Sequence, residues 1–371
     1  MSAETMEWLA ANIRIGYTDE RGPAWWARDN YMTDGSHFDG PVPDDEIRRI
    51  LAVPFVEGEV FSTYTVADHA DGCTMRDPGE CECPTHKEVI RDPEKKSIIS
   101  PDDGHVHGYF SQGWTLHGYQ GWTADKISSI LDANRGELGC ASVGLLKQRS
   151  VAFMQAKLTG TGLEVGGYQA VPFIGAATSV NGSLASTYFT GMEGVVCDNT
   201  LDAGMRSALS KTKVKHTRYS HGRVAEIQSA LGLVYEAGDV WLASAAELQS
   251  IDVTDADFRA WLDEISPVPA RDPKSSTGGA KYTNSVKFRD RLTELWSFDP
   301  KVKPWAGTAF GIMQLGNTYR TWDRNVAGAD GARMERNLLN MVSGIAAKED
   351  AGDLDALARV LAKRTVHPVT A

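Results

Sequence analysis

Helical spacing of apolar residues marks both flanks of this chain, and strand-like runs separated by turn residues mark its middle. Residues 4–13 read as a short helix, followed by an aromatic, turn-rich stretch over 16–26. Pro43-Asp44-Asp45-Glu46 opens a second helix that runs to 51, with acids where the helix dipole favours them. Residues 60–66 have strand composition, and 96–99 and 106–110 flank Pro101-Asp102-Asp103-Gly104, a turn signal that predicts a hairpin. Helical spacing returns over 123–131, with Thr123 as its N-cap. Residues 140–146, 150–158, 171–180 and 185–196 each read as strands, linked by glycine-rich stretches at 160–162, 166–167 and 181–183. Asn181-Gly182 between two extended runs is a strong hairpin signal.

Beyond residue 200 the pattern is mainly helical. Helices are predicted over 224–248, 254–264 with Thr254 as N-cap and Asp257 in the first turn, 286–296, 308–321, 334–347 and 353–364. Residues 267–283 read as a mobile loop rich in Pro, Ser and Gly. The fold class predicted is α+β: an antiparallel strand meander packed with helices, then a mainly helical C-terminal half. Three segments are expected. They are an N-terminal segment (1–54), an α+β core (55–205) with a cysteine-rich insertion at about 69–88, and a basic linker with a helical region (206–371).

Composition changes this picture little. Of 371 residues, 42% are hydrophobic and 23% charged, as expected of a globular protein that buries its core without staples. Charge changes it more. The net charge of −11 repels phosphate backbones, so any nucleic-acid site must be a local basic patch. No apolar run approaches the roughly 18 residues of a membrane span, and residues 1–7 are acidic with no signal-like core. A cytoplasmic location with no membrane partner is therefore expected. The cysteine count is odd: Cys73, Cys81, Cys83, Cys140 and Cys197. Free thiols or a metal site fit this better than a disulfide framework.

Four stretches carry candidate chemistry. Cys73, Cys81, Cys83 and His86 supply the four thiolate and imidazole ligands of a closed, structural zinc site, with His69 as a substitute. Cys-x-Cys is tighter than the common knuckle, and an exposed loop of reduced thiols fits the same residues. His105, His107 and His117 lie among Tyr109, Trp114, Tyr119 and Trp122. Alternation puts His105 and His107 on one face of a strand, where a packed role competes with a catalytic one. The third stretch, 206–223, is the clearest electrostatic anomaly. It holds Arg206, Lys211, Lys213, Lys215, Arg218 and Arg223 with no acid, and His216 and Tyr219 are interleaved. On an extended segment Lys211, Lys213 and Lys215 share a face, and cations beside aromatics are what sequence-tolerant single-strand binding requires. The fourth is Arg320 and Arg324, one helical turn apart, with Arg333 and Arg336. These suit a phosphate clamp or structural ion pairs equally.

No Walker loop, dinucleotide-binding glycine pattern, nucleophile elbow or kinase set is present. Gly194-Val195-Val196-Cys197-Asp198-Asn199-Thr200-Leu201 instead resembles the V-V-C-x-N-T-L signature of the phage/plasmid-like protein family, a domain of unknown function (DUF932). Other stretches match that family in the same order. They are Glu7-Trp8-Leu9, Ile15-Gly16-Tyr17-Thr18, Arg21-Gly22-Pro23-Ala24-Trp25, Ser179-Val180-Asn181-Gly182-Ser183 and Lys213-Val214-Lys215-His216-Thr217-Arg218-Tyr219-Ser220. Pro304-Trp305-Ala306-Gly307-Thr308-Ala309-Phe310-Gly311 and Glu335-Arg336-Asn337-Leu338-Leu339 continue it. Asn181 stands where the family has aspartate, and the cysteine-rich loop lies outside the pattern. The chain is most similar to members carried by actinobacterial phages. The resemblance implies a mobile-element protein acting in DNA metabolism and transfers no catalytic residue. The leading expectation is therefore a protein that binds or anneals single-stranded DNA and forms a homo-oligomer. The alternatives are a hydrolase or nuclease drawing on His105, His107, His117, Asp198, Asn199 and the arginines, and a factor that binds a host protein.

Overall fold

The computed structural model describes residues 6–22, 35–67, 85–125, 138–158, 162–194, 200–201, 211–214, 216, 230–270, 276–327, 333, 336–337, 339–340 and 344–366. The fold is α+β, with antiparallel sheets in the first part of the chain and helices in the second. Helix α1 (Met6–Asn12) leads directly into strand β1 (Ile13–Ile15), and two further helices follow, α2 (Thr18–Arg21) and α3 (Asp44–Leu51). Asp44, Asp45 and Glu46 fill the first turn of α3 and Arg48 and Arg49 the last, so charge complements the dipole at both ends.

A three-stranded sheet comprises β2 (Val56–Ala67), β3 (Thr85–Ile99) and β4 (Val106–Ser111), in that order. The predicted hairpin forms, with Ile99 opposite Val106 and Gly104 at φ 71° in the connecting turn. The second sheet holds eight strands in the order β1, β5 (Leu138–Leu146), β6 (Val151–Leu158), β8 (Tyr168–Ser179) and β9 (Ser186–Gly194). Strand β7 (Leu163–Val165) pairs with β8, while β10 (Thr200–Leu201) and β11 (Lys211–Val214) both pair with the outer edge of β9. Gly182, at φ 75°, closes the β8–β9 hairpin as the Asn-Gly signal predicts.

Every position of β5 is buried, so the sheet is covered on both faces. On one face Ile47, Ile50 and Leu51 of α3 pack with Tyr119 and Trp122 against Met154, Ile174 and Tyr188. On the other, Leu9 and Ile13 pack against Phe153, Phe173 and Phe189. Successive strand residues thus feed opposite cores, as the period of two requires. The turn from β5 to β6 holds three successive residues of left-handed backbone. Lys147, Gln148 and Arg149 stand at φ 48°, 51° and 65°, each costing about 1–2 kcal/mol against right-handed geometry.

The second half contains α4 (Ala230–Ser250), α5 (Asp255–Ile265), α6 (Ser276–Phe298), α7 (Ala309–Thr318) and α8 (Ile345–Val366). Trp241 and Ala245 of α4 join the helices to the sheet at Tyr168 and Ala170. Trp261, Leu292, Trp296, Ile312 and Leu357 form the core of the bundle. Among the described residues no helix is long and apolar enough to cross a membrane.

Three expectations need correction. Thr123 does not cap a helix. It lies inside a π-helical turn (Gln120–Ala124) and its hydroxyl donates to the Tyr119 carbonyl. Tyr119 and Trp122 are buried, and their packing sets where the turn starts; residues 126–137 lie outside the described residues. The 267–283 stretch is only partly a loop, because α6 begins at Ser276. Its packed end, at Leu292, Leu295 and Trp296, anchors a helix that then propagates toward its N-terminus at little further cost. The helix expected over 334–347 is broken by Gly344, whose φ of 78° no continuing helix accepts, and α8 starts one residue later.

Candidate nucleic-acid interface

Five rings stand in one column against the outer part of the large sheet. Phe110 of β4 stacks on Trp114 (4.1 Å between centroids) and Trp114 on His216 (4.8 Å). His216 stacks on His117 (4.0 Å) and His117 on Trp122 (3.8 Å). The planes deviate by less than 20° throughout. Trp114 and His117 come from the loop after β4 and Trp122 from the π-helical turn that follows it, whereas His216 lies 101 residues beyond Thr115, just past β11.

Hydrogen bonds fix the two histidines. His117 Nδ1 shares a 2.7 Å bond with Ser186 Oγ, which is 2.8 Å from Thr178 Oγ1. His216 Nδ1 donates to the Thr115 carbonyl at 3.1 Å, and the Thr115 N–H donates back to the His216 carbonyl at 3.3 Å. That assigns the proton to Nδ1 and leaves Nε2 buried without a hydrogen bond. Burial pushes the His216 imidazole below its ordinary pKa, and the Thr115 and Leu184 carbonyls offset this only in part. At neutral pH His216 is therefore an uncharged ring, which stacks without forcing a charge into the column.

The column adjoins the described part of the basic stretch, 211–214 and 216. Lys211 lies opposite Phe189, Thr212 opposite Tyr188, Lys213 opposite Thr187 and Val214 opposite Ser186. Residues 211–214 are thus extended, as the alternation of Lys211 and Lys213 requires, on an edge strand with no further partner among the described residues. Ser186 opposes Val214 and binds His117, so strand and column meet at one residue. At the other end of the column Phe110 and Trp114 are only half-buried. Arg206, Lys215, Arg218, Tyr219 and Arg223 lie outside the described residues.

The remaining candidates sit elsewhere. His107 bridges Ser100 Oγ and Ser150 Oγ, each at 2.8 Å, and packs edge-on against His105 (4.7 Å). Burial, then the neighbouring His105, pushes its pKa down to about 4. Asp102 pairs with Arg149, and Asp103 accepts the His105 N–H, so neither carboxylate binds the imidazole. His117 is not part of this cluster, and the three histidines do not form one cleft. Asp198 and Asn199 lie outside the described residues.

Arg320 and Arg324 are in the helical half, at a second π-helical turn (Tyr319–Asp323) beside a cleft of about 490 Å³. They do not form an open phosphate clamp. Arg320 binds Asp350 and Asp353, the latter at 2.5 Å, and Arg324 binds Glu349 at 2.9 Å. Burial opposes charge on Arg320, but Asp350, Asp353 and Glu349 outweigh it and hold its pKa above the ordinary value. Burial raises Asp350 to about 7 despite Arg320. Gly316 is required here, because a Cβ would collide with Asp353 Oδ2. These carboxylates come from α8, about 30 positions along, and nothing in local spacing announces them. Among the described residues, Arg333 and Arg336 bind backbone carbonyls of 320–324.

Of the four zinc candidates, His86 lies at the start of β3, exposed and 3.3 Å from Glu88. Cys73, Cys81 and Cys83 lie outside the described residues. Among the described residues no group of three or more His, Cys, Asp or Glu is placed to hold a metal ion.

The family model for "Domain of unknown function (DUF932)" matches residues 106–341, more than half of the chain. The chain belongs to that family. No curated protein and no solved structure matches it.

Proposed function

We propose that this is a phage- or plasmid-encoded protein of DNA metabolism that binds single-stranded DNA, promotes annealing and assembles into homo-oligomers in the cytoplasm of the host cell. One observation carries the reading. The basic stretch 206–223 contributes an edge strand, and that strand ends at a ring column whose far end is half-open to solvent. Cations along an extended segment attract the backbone, and aromatic faces accept bases of any sequence. The net charge of −11 confines such binding to this patch.

The test is binding to fluorescent single- and double-stranded DNA across a salt titration, with annealing of complementary strands scored in the same samples. Tight, salt-sensitive single-strand binding with faster annealing is expected. Lys211→Gln and Lys213→Gln should each lower the slope of log affinity against log salt by about 0.7. Phe110→Leu keeps an apolar side chain but removes the aromatic face, and should weaken binding about tenfold or more. No binding at low salt would overturn the reading and leave the stretch as ordinary surface.

A further inference from the structure

The cleft of about 490 Å³ beside Tyr319 and Arg320 opens where α5, α6, α7 and α8 converge. Its volume falls within the roughly 300–1,000 Å³ of small-molecule sites. Ile265, Leu292 and Ala356 give it apolar walls. Phe288 of α6 and Tyr319 of the π-helical turn, both partly buried, line it too and meet edge to face at 4.9 Å and 71°. Aromatic rings so arranged can hold a planar ligand by the face of one and the edge of the other. The π-helical turn that brings Tyr319 here is a rare geometry, frequent at functional sites.

The charged residues of the wall are paired. Arg320 binds Asp353, Arg324 binds Glu349 at 2.9 Å and Arg359 binds Glu264 at 2.8 Å. Three guanidiniums thus meet three carboxylates among the lining residues. Asp350 and Lys363, which join these pairs from outside the lining, add one formal charge of each sign. The cleft therefore has no surplus charge with which to attract an ion. Arg324 and Arg359 are half-exposed, and each gives one nitrogen to its carboxylate. A guanidinium has five N–H donors and a carboxylate about four acceptor sites, so each pair can bond a neutral polar edge without breaking.

Gly352 points to an occupant. It lies inside α8 and lines the cleft, and a Cβ there would meet nothing within 4 Å. A glycine inside a helix weakens it. At Gly316 packing requires the glycine, because a Cβ would collide with Asp353 Oδ2. At Gly352 no packing requires it, and the space that a side chain would fill is the cleft itself.

We propose that this cleft binds an uncharged heteroaromatic molecule of nucleoside size, with its ring against Phe288 and Tyr319 and its polar edge bonded by the ion pairs at Glu349 and Glu264. Aromatic walls accept a planar ring, and donors beside acceptors match the edge of a base. Balanced charge favours a neutral solute over an ion. This inference does not depend on the edge-strand reading, and the following experiment separates the two.

The full chain is titrated with adenosine, guanosine, cytidine and thymidine, and saturation-transfer NMR reads the affinity of each. At least one should bind in the sub-millimolar range. Gly352→Leu puts a side chain into open space on a helix, so it should melt higher than the wild type and yet lose nucleoside binding. Gly352→Ala should also melt higher but keep most of the affinity. A variant that is more stable and binds less cannot be explained by misfolding. Tyr319→Leu keeps an apolar side chain but removes the ring, and should weaken binding about tenfold. Phe110→Leu, at the ring column, should leave nucleoside affinity unchanged. Affinity lost in Phe110→Leu and kept in Gly352→Leu would place the nucleosides on the column and refute the site, as would a failure of all the nucleosides to bind. Indole has a ring without the edge of a base and should bind about tenfold more weakly. Equal binding of indole, or tighter binding of a 5′-monophosphate in this cleft, would overturn the class of ligand assigned. Lys211→Gln, which tests DNA binding at the edge strand, should leave nucleoside affinity as it is, so either reading can fail without the other.

Discussion

Two buried titratable residues pull stability in opposite directions across the same pH range. His107 is held between Ser100 and Ser150, and burial lowers it to about 4 from an ordinary 6.5. The unfolded chain then binds the proton more readily than the folded one. Its contribution is complete above pH 6.5 and is lost as the pH falls toward 4. Asp350 is the reverse case, raised to about 7 from 3.8 by burial, with Arg320 as its partner. Its contribution is complete below 3.8 and is lost as the pH rises through 7. Each effect is on the order of 3–4 kcal/mol at most. Urea midpoints between pH 4.5 and 7.5 separate them. Asp350→Asn should make stability rise with pH more steeply than in the wild type, and His107→Gln should make it fall. If either variant keeps the wild-type slope, that residue does not carry the effect assigned to it.

At the scale of elements, most of what is encoded within a few residues is legible, Thr123 excepted. Thr254 and Asp257 make the capping box that their spacing announces, each bonding the other's backbone. Thr254→Ala should cost about 1 kcal/mol, read as a shift in the urea midpoint. The Asn181-Gly182 hairpin and the turn at 101–104 are equally local. The extent of α6 was not legible, because Ser, Gly and Thr at its start signal a loop and only the distant packing of Leu292 and Trp296 overrules them. Gly279 sits in that overhang with nothing near the position of a Cβ. Gly279→Ala should therefore stabilise the protein by roughly 0.5–1 kcal/mol. A neutral or destabilising result would argue against a helix there. The ring column is illegible for a deeper reason: His117 belongs to an aromatic and histidine group and His216 to the basic stretch, and no periodicity links residues so far apart. Long-range pairing of this kind is a property of the sheet order that brings β11 against β9.

At the scale of the whole molecule, among the described residues, the ribbon of β2 and β3 exposes apolar side chains that the core does not cover. β2 and β3 pair over 12 positions from Val56 to Ala67, a ribbon of about 40 Å at roughly 3.3 Å per residue. Phe61 is 55% exposed and Val89 62%, and Thr63 opposite Val89 places both on one face. Tyr64 is 41% exposed and Ile90 54%, and Ser62 opposite Ile90 places these on the other. Folding the ribbon onto the body would cover one face and leave the second in water. Two neighbouring copies, one on each side, would cover both. A contact in which the two faces of one ribbon meet different copies is heterologous, and closes as a ring or continues as a filament. On the proposed function, this would be the route to a homo-oligomer that holds a strand along several copies. Sedimentation velocity should find the wild type larger than a dimer. Phe61→Ser with Val89→Thr blocks one face and should stop assembly at dimers through the other. Adding Tyr64→Ser and Ile90→Thr should leave monomers with an unchanged circular-dichroism spectrum, because none of the four side chains is buried. A wild-type protein that stays monomeric at tens of micromolar would sink the oligomer and leave the ribbon to a different protein partner.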